Sequence, residues 1–520
     1  MEYFKRYSLL IICILYLSIA IVRLSFPELD HGDEFTDANV LIAGENFVKF
    51  GFINSRFLPI FKLNLNKPTD AYTHYPPLTE NFNGLLRMIF RTDSIYLFRA
   101  ISLLFSFFNI LFWYLFIKKI SNSYLVVFLS TIFYISNPLF IFGIDSLHES
   151  CYSDFFRSLI IFIFLIMIKS AGKKRKYILF LLWILLVLES LSTFEYIVYL
   201  SLFFILFREF FKDRGVSLSR KEIFVLLSAP VFAFLLHFFQ NIWYFEDFWR
   251  AFEDLRDIFI TRISKSRDAP PMDFIIWLRY VILRNFSLVF MFNFFILILC
   301  AFFSYLLYHK LSLGLKEEIN YLFRLWIIFG ICGISWYIIF PSHSWAHTFV
   351  LFLARHLVPF VVIGFTIFSY IIFSFIKENF SIGYYPMLFL CLIIGVIIFN
   401  GIINSELPVT RERIIMYNEF IKFKKCLLEL KELSSQSDEV GINYYRYPFI
   451  QYYLHRHCLP IFNKDSLEKL KVLPSYFIFI VYNNPNSQQL LEYLEKRYVY
   501  LWKCESLRFP AIFFKLKNNE

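Results

Sequence analysis

Mainly apolar stretches long enough to cross a bilayer recur along most of this chain, and they limit its fold more than any other feature. A crossing helix takes about 20 such residues at roughly 1.5 Å rise each. On that rule about eleven stretches qualify, near 7–24, 95–117, 122–142, 155–170, 177–190, 194–210, 222–239, 285–308, 321–341, 353–376 and 384–403. With 58% of the 520 residues hydrophobic and 18% charged, soluble domains could not bury so much apolar surface. The expected fold class is therefore a polytopic α-helical membrane protein. Lys5 and Arg6 precede the first stretch as in a signal peptide, but "SIAIVRLSF" offers a poor small-residue cleavage site, so an uncleaved anchor is expected.

Basic residues orient the spans. Lys118 and Lys119, the run "KSAGKKRK", Arg208 to Lys221, Lys310, Lys316 and Lys377 fall on the side of Lys5 and Arg6 when the spans alternate. That side reads as cytoplasmic, and the net charge of +11 has a topological origin that implies no nucleic acid partner. Of the eight Cys, Cys13, Cys300, Cys332 and Cys391 lie in apolar runs, with no CxxC and no zinc-module spacing.

Four segments gather on the other side: 25–94, 143–154, 240–284 and 341–349. In the first, "DEFTDANVLIAGENFVKFG" spaces Phe35, Ala38, Ile42 and Phe47 as a helix would and stops at Gly51, which predicts an amphipathic helix along the membrane surface. "YTHYPPLTENFNGLLRMIF" adds a Pro-broken turn and a second such stretch, and "EDFWRAFEDLRDIFITRI" a third, with Phe248, Phe252, Leu255, Ile258 and Phe259 on one face. Two domains are expected: a membrane part over 1–403, and a small extracytoplasmic α/β domain over 409–520 with strands near 439–443 and 475–482 and in "YVYLWKC" and "AIFFKL".

Three polar knots could carry chemistry. "HGDEFTDAN" packs Asp33, Glu34 and Asp37 where the chain leaves the first span; helix capping from Asp30 accounts for part of this, and acids in a first helical turn are also kept ionised, as a base must be. "GIDSLHESCYSDFFRS" sets Asp145, His148, Glu149, Asp154 and Arg157 between two spans, and an arginine just inside a span calls for a partner such as Asp154 or a bound anion. "SHSWAHTFVLFLARHLVPF" places Arg355 and His356 at the outward end of an apolar span, where a guanidinium suits phosphate. His343 and His347 have a metal-ligand spacing without a third ligand, so a divalent metal is left open. Glu189 and Glu195 lie near the outer end of another hairpin.

The acidic "DEFTDAN" after the first span, "YTHYPPLTENFNGLL" in the first outer loop, a second acidic turn and the late "ARHLVPF" together resemble the GT-C glycosyltransferases, closest to bacterial relatives of protein O-mannosyltransferases and lipid A glycosyltransferases. The resemblance covers residues 1 to about 403. It implies transfer of a sugar from a polyprenyl-phosphate-linked donor to a lipid, glycan or protein acceptor at the outer face of the bacterial inner membrane, usually with inversion. It also implies roles: Asp33 as general base with Glu34 orienting it, Asp37, His148 and Glu149 or Asp154 positioning donor or acceptor, and Arg355, His356 and Arg157 meeting the lipid phosphate. The second acidic turn departs from a clean single-acid motif, so Glu149 and Asp154 remain alternatives. Arg250, Arg256, Arg262 and Arg267 in the 240–284 loop keep a surface-polysaccharide polymerase or ligase open. A non-enzymatic carrier of lipid-linked sugars is the other alternative; it predicts mid-membrane charges and an internal repeat.

Overall fold

The computed structural model describes residues 2–25, 34–63, 65–214, 218–263, 274–279, 308, 311–342, 355–379, 417–444, 447–481, 485–506 and 509–517. The apolar stretches fold as helices α1 (Glu2–Ser25), α4 (Ile95–Ile120), α7 (Glu149–Ile168), α8 (Gly172–Ser192), α9 (Glu195–Phe211), α10 (Arg220–Phe245), α12 (Leu313–Ile339) and α13 (Val358–Asn379). Among the described residues, six helices are long and apolar enough to cross a membrane: those in α1, α4, α7, α10, α12 and the segment Arg355–Phe375. The predicted spans at 285–308 and 384–403 lie outside the described residues.

The stretch read as one span over 122–142 is two helices, α5 (Tyr124–Ile135) and α6 (Pro138–Gly143). Asn137 precedes Pro138, whose ring disfavours helical geometry in the residue before it and which has no N–H to continue the ladder. Ring packing fills the bundle: Phe203 stacks on Phe329 at 5.7 Å between α9 and α12, and Trp326 on Phe360 at 4.7 Å between α12 and α13. In contrast, α10 exposes Phe224, Val231 and Phe239. Large apolar side chains left outside on a long apolar helix suit lipid rather than water, and the chain is an integral membrane protein.

Between α1 and α4 the first loop forms α2 (Glu34–Phe50) and α3 (Leu78–Phe90). Gly51, at φ +81°, ends α2 in the left-handed region. The expectation of a surface helix fails for α2, because the side chains from Asp37 to Ala43 are all buried. Asn46 is covered as well, donating to the Ile60 and Lys62 carbonyls at 2.7 and 2.8 Å, and on the apolar face a Cβ on Gly84 of α3 would sit 2.9 Å from the Phe47 Cβ. Helix α11 (Phe248–Ile263) buries Leu255 but leaves Phe248, Phe252 and Phe259 exposed, as a helix on a lipid surface would.

The C-terminal part carries a five-stranded sheet in the order β2-β1-β3-β5-β4. Strands β1 (Glu439–Ile442), β2 (His457–Pro460) and β3 (Tyr476–Ile480) run parallel, and β5 (Ala511–Leu516) joins β3 and β4 (Tyr498–Cys504) antiparallel. Every residue of β3, "YFIFI", is buried, as expected for a strand covered on both faces. One face packs on helix α14, over 417–433, and on α15 (Tyr447–Leu454); the other packs on α16 (Pro485–Arg497).

This part docks on α2. Ala38 shares its core, Gln451 donates to the Phe61 carbonyl at 2.7 Å, and His455 lies 3.8 Å from Glu45. Burial raises the Glu45 pKa, but the hydrogen bond and charge of His455, with Arg87 and Lys49, outweigh it and hold the carboxyl below its usual range.

Candidate functional site

Buried ionic groups collect at one end of the bundle, at the C-terminal end of α1 and the N-terminal ends of α4, α7, α9 and α13. The basic residues Lys118, Lys119, Lys169, Arg220 and Lys316 fall at the opposite helix ends. Two ionic groups can be distinguished.

The first joins α1, α2, α4 and the turn before α7. Arg99 bonds Asp37 at 3.1 Å, the Asp145 carboxylate at 3.4 Å and the Asp145 carbonyl at 2.8 Å. Arg23 lies 3.6 Å from Asp145 and donates to the Ile141 carbonyl at 3.0 Å. Asp37 also accepts from the Leu147 backbone N–H at 2.8 Å and from Ser146 Oγ at 3.4 Å. Each charge is almost wholly withdrawn from solvent, a geometry stable only while every partner is present.

The second centres on Asp154. Arg157 pairs with it at 3.0 Å, Tyr196 donates to it at 2.6 Å, and Arg355 approaches to 3.9 Å while donating to Tyr196 Oη at 3.2 Å. Arg157 also lies over the Tyr196 ring at 4.8 Å, and the His356 ring packs 4.5 Å from Tyr196. Residues from the middle and the far end of the membrane part thus present two guanidinium groups around one carboxylate. Cys151, one turn before Asp154, bonds the carbonyl of Ser146 at 3.3 Å, and Ser146 Oγ donates to Asp37, so the two groups are neighbours at the start of α7.

Beside them the first loop folds over the start of α7. The loop is held by His237 and Asn241 of α10, which bond the Thr73 carbonyl at 3.0 and 3.1 Å, and by Asp254 of α11, which accepts from Thr73 Oγ1 at 2.7 Å. Tyr75 Oη is 2.5 Å from His148 Nε2 and 3.5 Å from Glu80 Oε1. Burial pushes the Glu80 carboxyl up to about 7, against smaller lowering by hydrogen bonds from its own backbone and Tyr75.

The native state therefore holds the Glu80 proton from the ordinary value of 4.5 up to about 7, while the unfolded chain releases it at about 4.5. Stability from this group is full below 4.5 and falls as pH rises through 7, by about 3 kcal/mol in all. Glu80→Gln, which mimics the neutral acid, is expected to match the parent's thermal unfolding at pH 5 and to exceed its stability at pH 8. A difference that does not change with pH would rule out a buried neutral carboxyl.

Of the residues singled out from the sequence, Asp154, Arg157, Arg355 and His356 come together. His148 is engaged by Tyr75, and Asp37 by Arg99. Asp33 lies outside the described residues, as do the side chains of Glu34 and Glu149, whose backbones open α2 and α7, and His343 and His347. Among the described residues no three His, Cys, Asp or Glu side chains cluster as metal ligands. Arg23, Arg99, Tyr75, Glu80 and Tyr196 were not anticipated; an arginine at the non-basic end of an apolar span was the available signal for the first two. An open, mostly apolar groove of about 360 Å³ runs between the first loop and α10, lined by Arg56, Pro77, Leu78, Leu236, Phe239 and Trp243.

No protein-family model matches the sequence, and no curated protein does. Solved structures match along almost the whole chain. ArnT of Cupriavidus metallidurans bound to undecaprenyl phosphate aligns with a TM-score of 0.55 at 12% identity, covering 96% of this chain and 97% of that one. The apo form of that protein aligns with the same TM-score and coverage at 11% identity. At this identity the likeness is one of fold, and at that level the resemblance drawn from the motifs holds.

Proposed function

We propose that this chain is a membrane glycosyltransferase that moves a sugar from a polyprenyl-phosphate carrier to an acceptor on the extracytoplasmic side, with inversion. The observation that carries the proposal is the convergence of Arg157 and Arg355 on Asp154 and Tyr196, within a fold that in ArnT is seen with undecaprenyl phosphate.

Asp33 takes the proton from the acceptor as its oxygen or nitrogen attacks the anomeric carbon, and Glu34 orients it. The bond from that carbon to the phosphate oxygen breaks, and the carrier phosphate leaves with the added negative charge. Arg355 and Arg157, with His356 packed against Tyr196, meet that charge from positions fixed before the reaction. Asp154 orients both guanidinium groups, His148 and Glu149 at the start of α7 position the sugar, and Asp37 holds α2 in register. The apolar groove beside Pro77 and Phe239 is of a size to admit an isoprenoid or acyl chain. In this reading the membrane part over 1–403 has about eleven spans, the sheet-bearing part over 409–520 is an extracytoplasmic domain braced on α2, and the membrane is the bacterial inner membrane.

Arg355→Ala is expected to weaken binding of undecaprenyl phosphate by the purified protein ~10- to 100-fold, the worth of a charged hydrogen bond lost in a buried site. Arg355→Lys keeps the charge but loses the fork and should fall between. Unchanged affinity in the folded alanine variant would remove Arg355 from the donor site.

A further inference from the structure

We propose that Cys426 and Cys504 form a disulfide in the mature protein, linking α14 to the end of β4. This rests on the reading that the sheet-bearing part lies outside the cytoplasm, in the compartment where structural disulfides form and persist.

The placement is specific. In the structure the two cysteines are free thiols that pack in one core. Cys504 Sγ also reaches the Lys422 carbonyl at 3.9 Å, which lies one helical turn before Cys426. The two sulfurs come from segments far apart in sequence, and each is fixed by packing: Cys504 closes β4 within the core that includes Phe423 and Leu427, and Cys426 packs against that core. With Cys504 Sγ seated on the helical turn that leads to Cys426, the two side chains are within reach of a disulfide. The third cysteine of this part, Cys458, is buried on β2 with its sulfur on the Arg456 carbonyl at 3.8 Å.

The chemistry requires an oxidant of the thiol–disulfide exchange class, a protein carrying a reactive disulfide. The thiolate of Cys426, the more exposed of the pair, attacks one sulfur of that disulfide and releases a thiol. The thiolate of Cys504 then attacks the Cys426 sulfur of the mixed disulfide and releases the second. Two protons leave the cysteines, and the oxidant is reduced to a dithiol. Burial pushes both thiols up, which disfavours the thiolate in the folded dithiol.

The test uses the full chain in cells producing it. Thiols are trapped by acid quench and alkylation, and the protein is digested without reduction for mass spectrometry. In parallel, right-side-out vesicles are treated with an amine reagent that does not cross membranes, and labelling of exposed Lys464, Lys469 and Lys471 is read. The expected result is a peptide pair joined through Cys426 and Cys504, lighter by two hydrogens than the sum of its reduced halves, lost in Cys426→Ser and retained in Cys458→Ser. Alkylated Cys426 and Cys504 with labelled lysines would overturn the disulfide and leave the topology standing. Alkylated cysteines with lysines labelled only after lysis would overturn both. A link through Cys458 would overturn the pairing. None of these readouts depends on sugar transfer, so a failed transferase reading stays separate.

Discussion

Asp33→Asn is expected to lower sugar transfer ~100- to 10,000-fold, the usual worth of a positioned general base, while insertion and binding of the lipid carrier persist. The substitution keeps the shape of the side chain, exchanges one acceptor oxygen for a donor amide, and removes the charge and the basicity. Structural reasons favour a base here: Asp33 immediately precedes α2, whose N-terminal end carries partial positive charge that helps keep a carboxylate ionised. The helix it precedes is packed against α3 and the C-terminal part and tied to α4 through Arg99. The measurement is transfer of label from a polyprenyl-phosphate sugar in membranes that contain the native acceptor, compared between parent and variant at matched protein. A carrier of lipid-linked sugars would show little change. A variant that retains most of its transfer would exclude Asp33 as the base even if the fold assignment stands.

The sequence carried the long helices openly, because a bilayer crossing needs an unbroken apolar run and few other structures produce one. It also carried the Asp154–Arg157 pair, since an arginine inside a span needs a counter-charge and residues three apart share a helix face. What it could not carry was the partner of Arg355. Tyr196 and Asp154 meet Arg355 only through the packing of α7 and α9 against the start of α13, and one tyrosine among 33 gives no signal. The environment of α2 was misread for a related reason. A helix that carries Asp37, Asn39 and Asn46 among its apolar residues reads as a surface helix, and only the structure shows Asp37 closed off by Arg99 and the Leu147 N–H and Asn46 by the Ile60 and Lys62 carbonyls. Arg23 and Arg99 were legible in principle, as basic residues at the end of the bundle opposite the basic turns, and that exception should have marked them as paired.

Asp37→Ala is the substitution expected to damage the fold most. It removes one carboxylate from buried Arg99, leaving it Asp145, which Arg23 already shares, among the described residues, and it strands the Leu147 N–H that Asp37 accepts at 2.8 Å. Removing one member of a buried ion pair costs about 3–5 kcal/mol, because the charge left behind stays out of water. Asp37→Asn should cost less, since an amide oxygen can still accept from the Leu147 N–H. The decisive comparison is a double-mutant cycle with Arg99→Leu, followed by thermal unfolding in detergent. If the pair holds α2 to α4, the double variant is destabilised by clearly less than the two single changes added together, since neither partner is then left charged and alone. Strict additivity would mean that Asp37 and Arg99 do not depend on each other, and the register of α2 beneath Asp33 would need another cause.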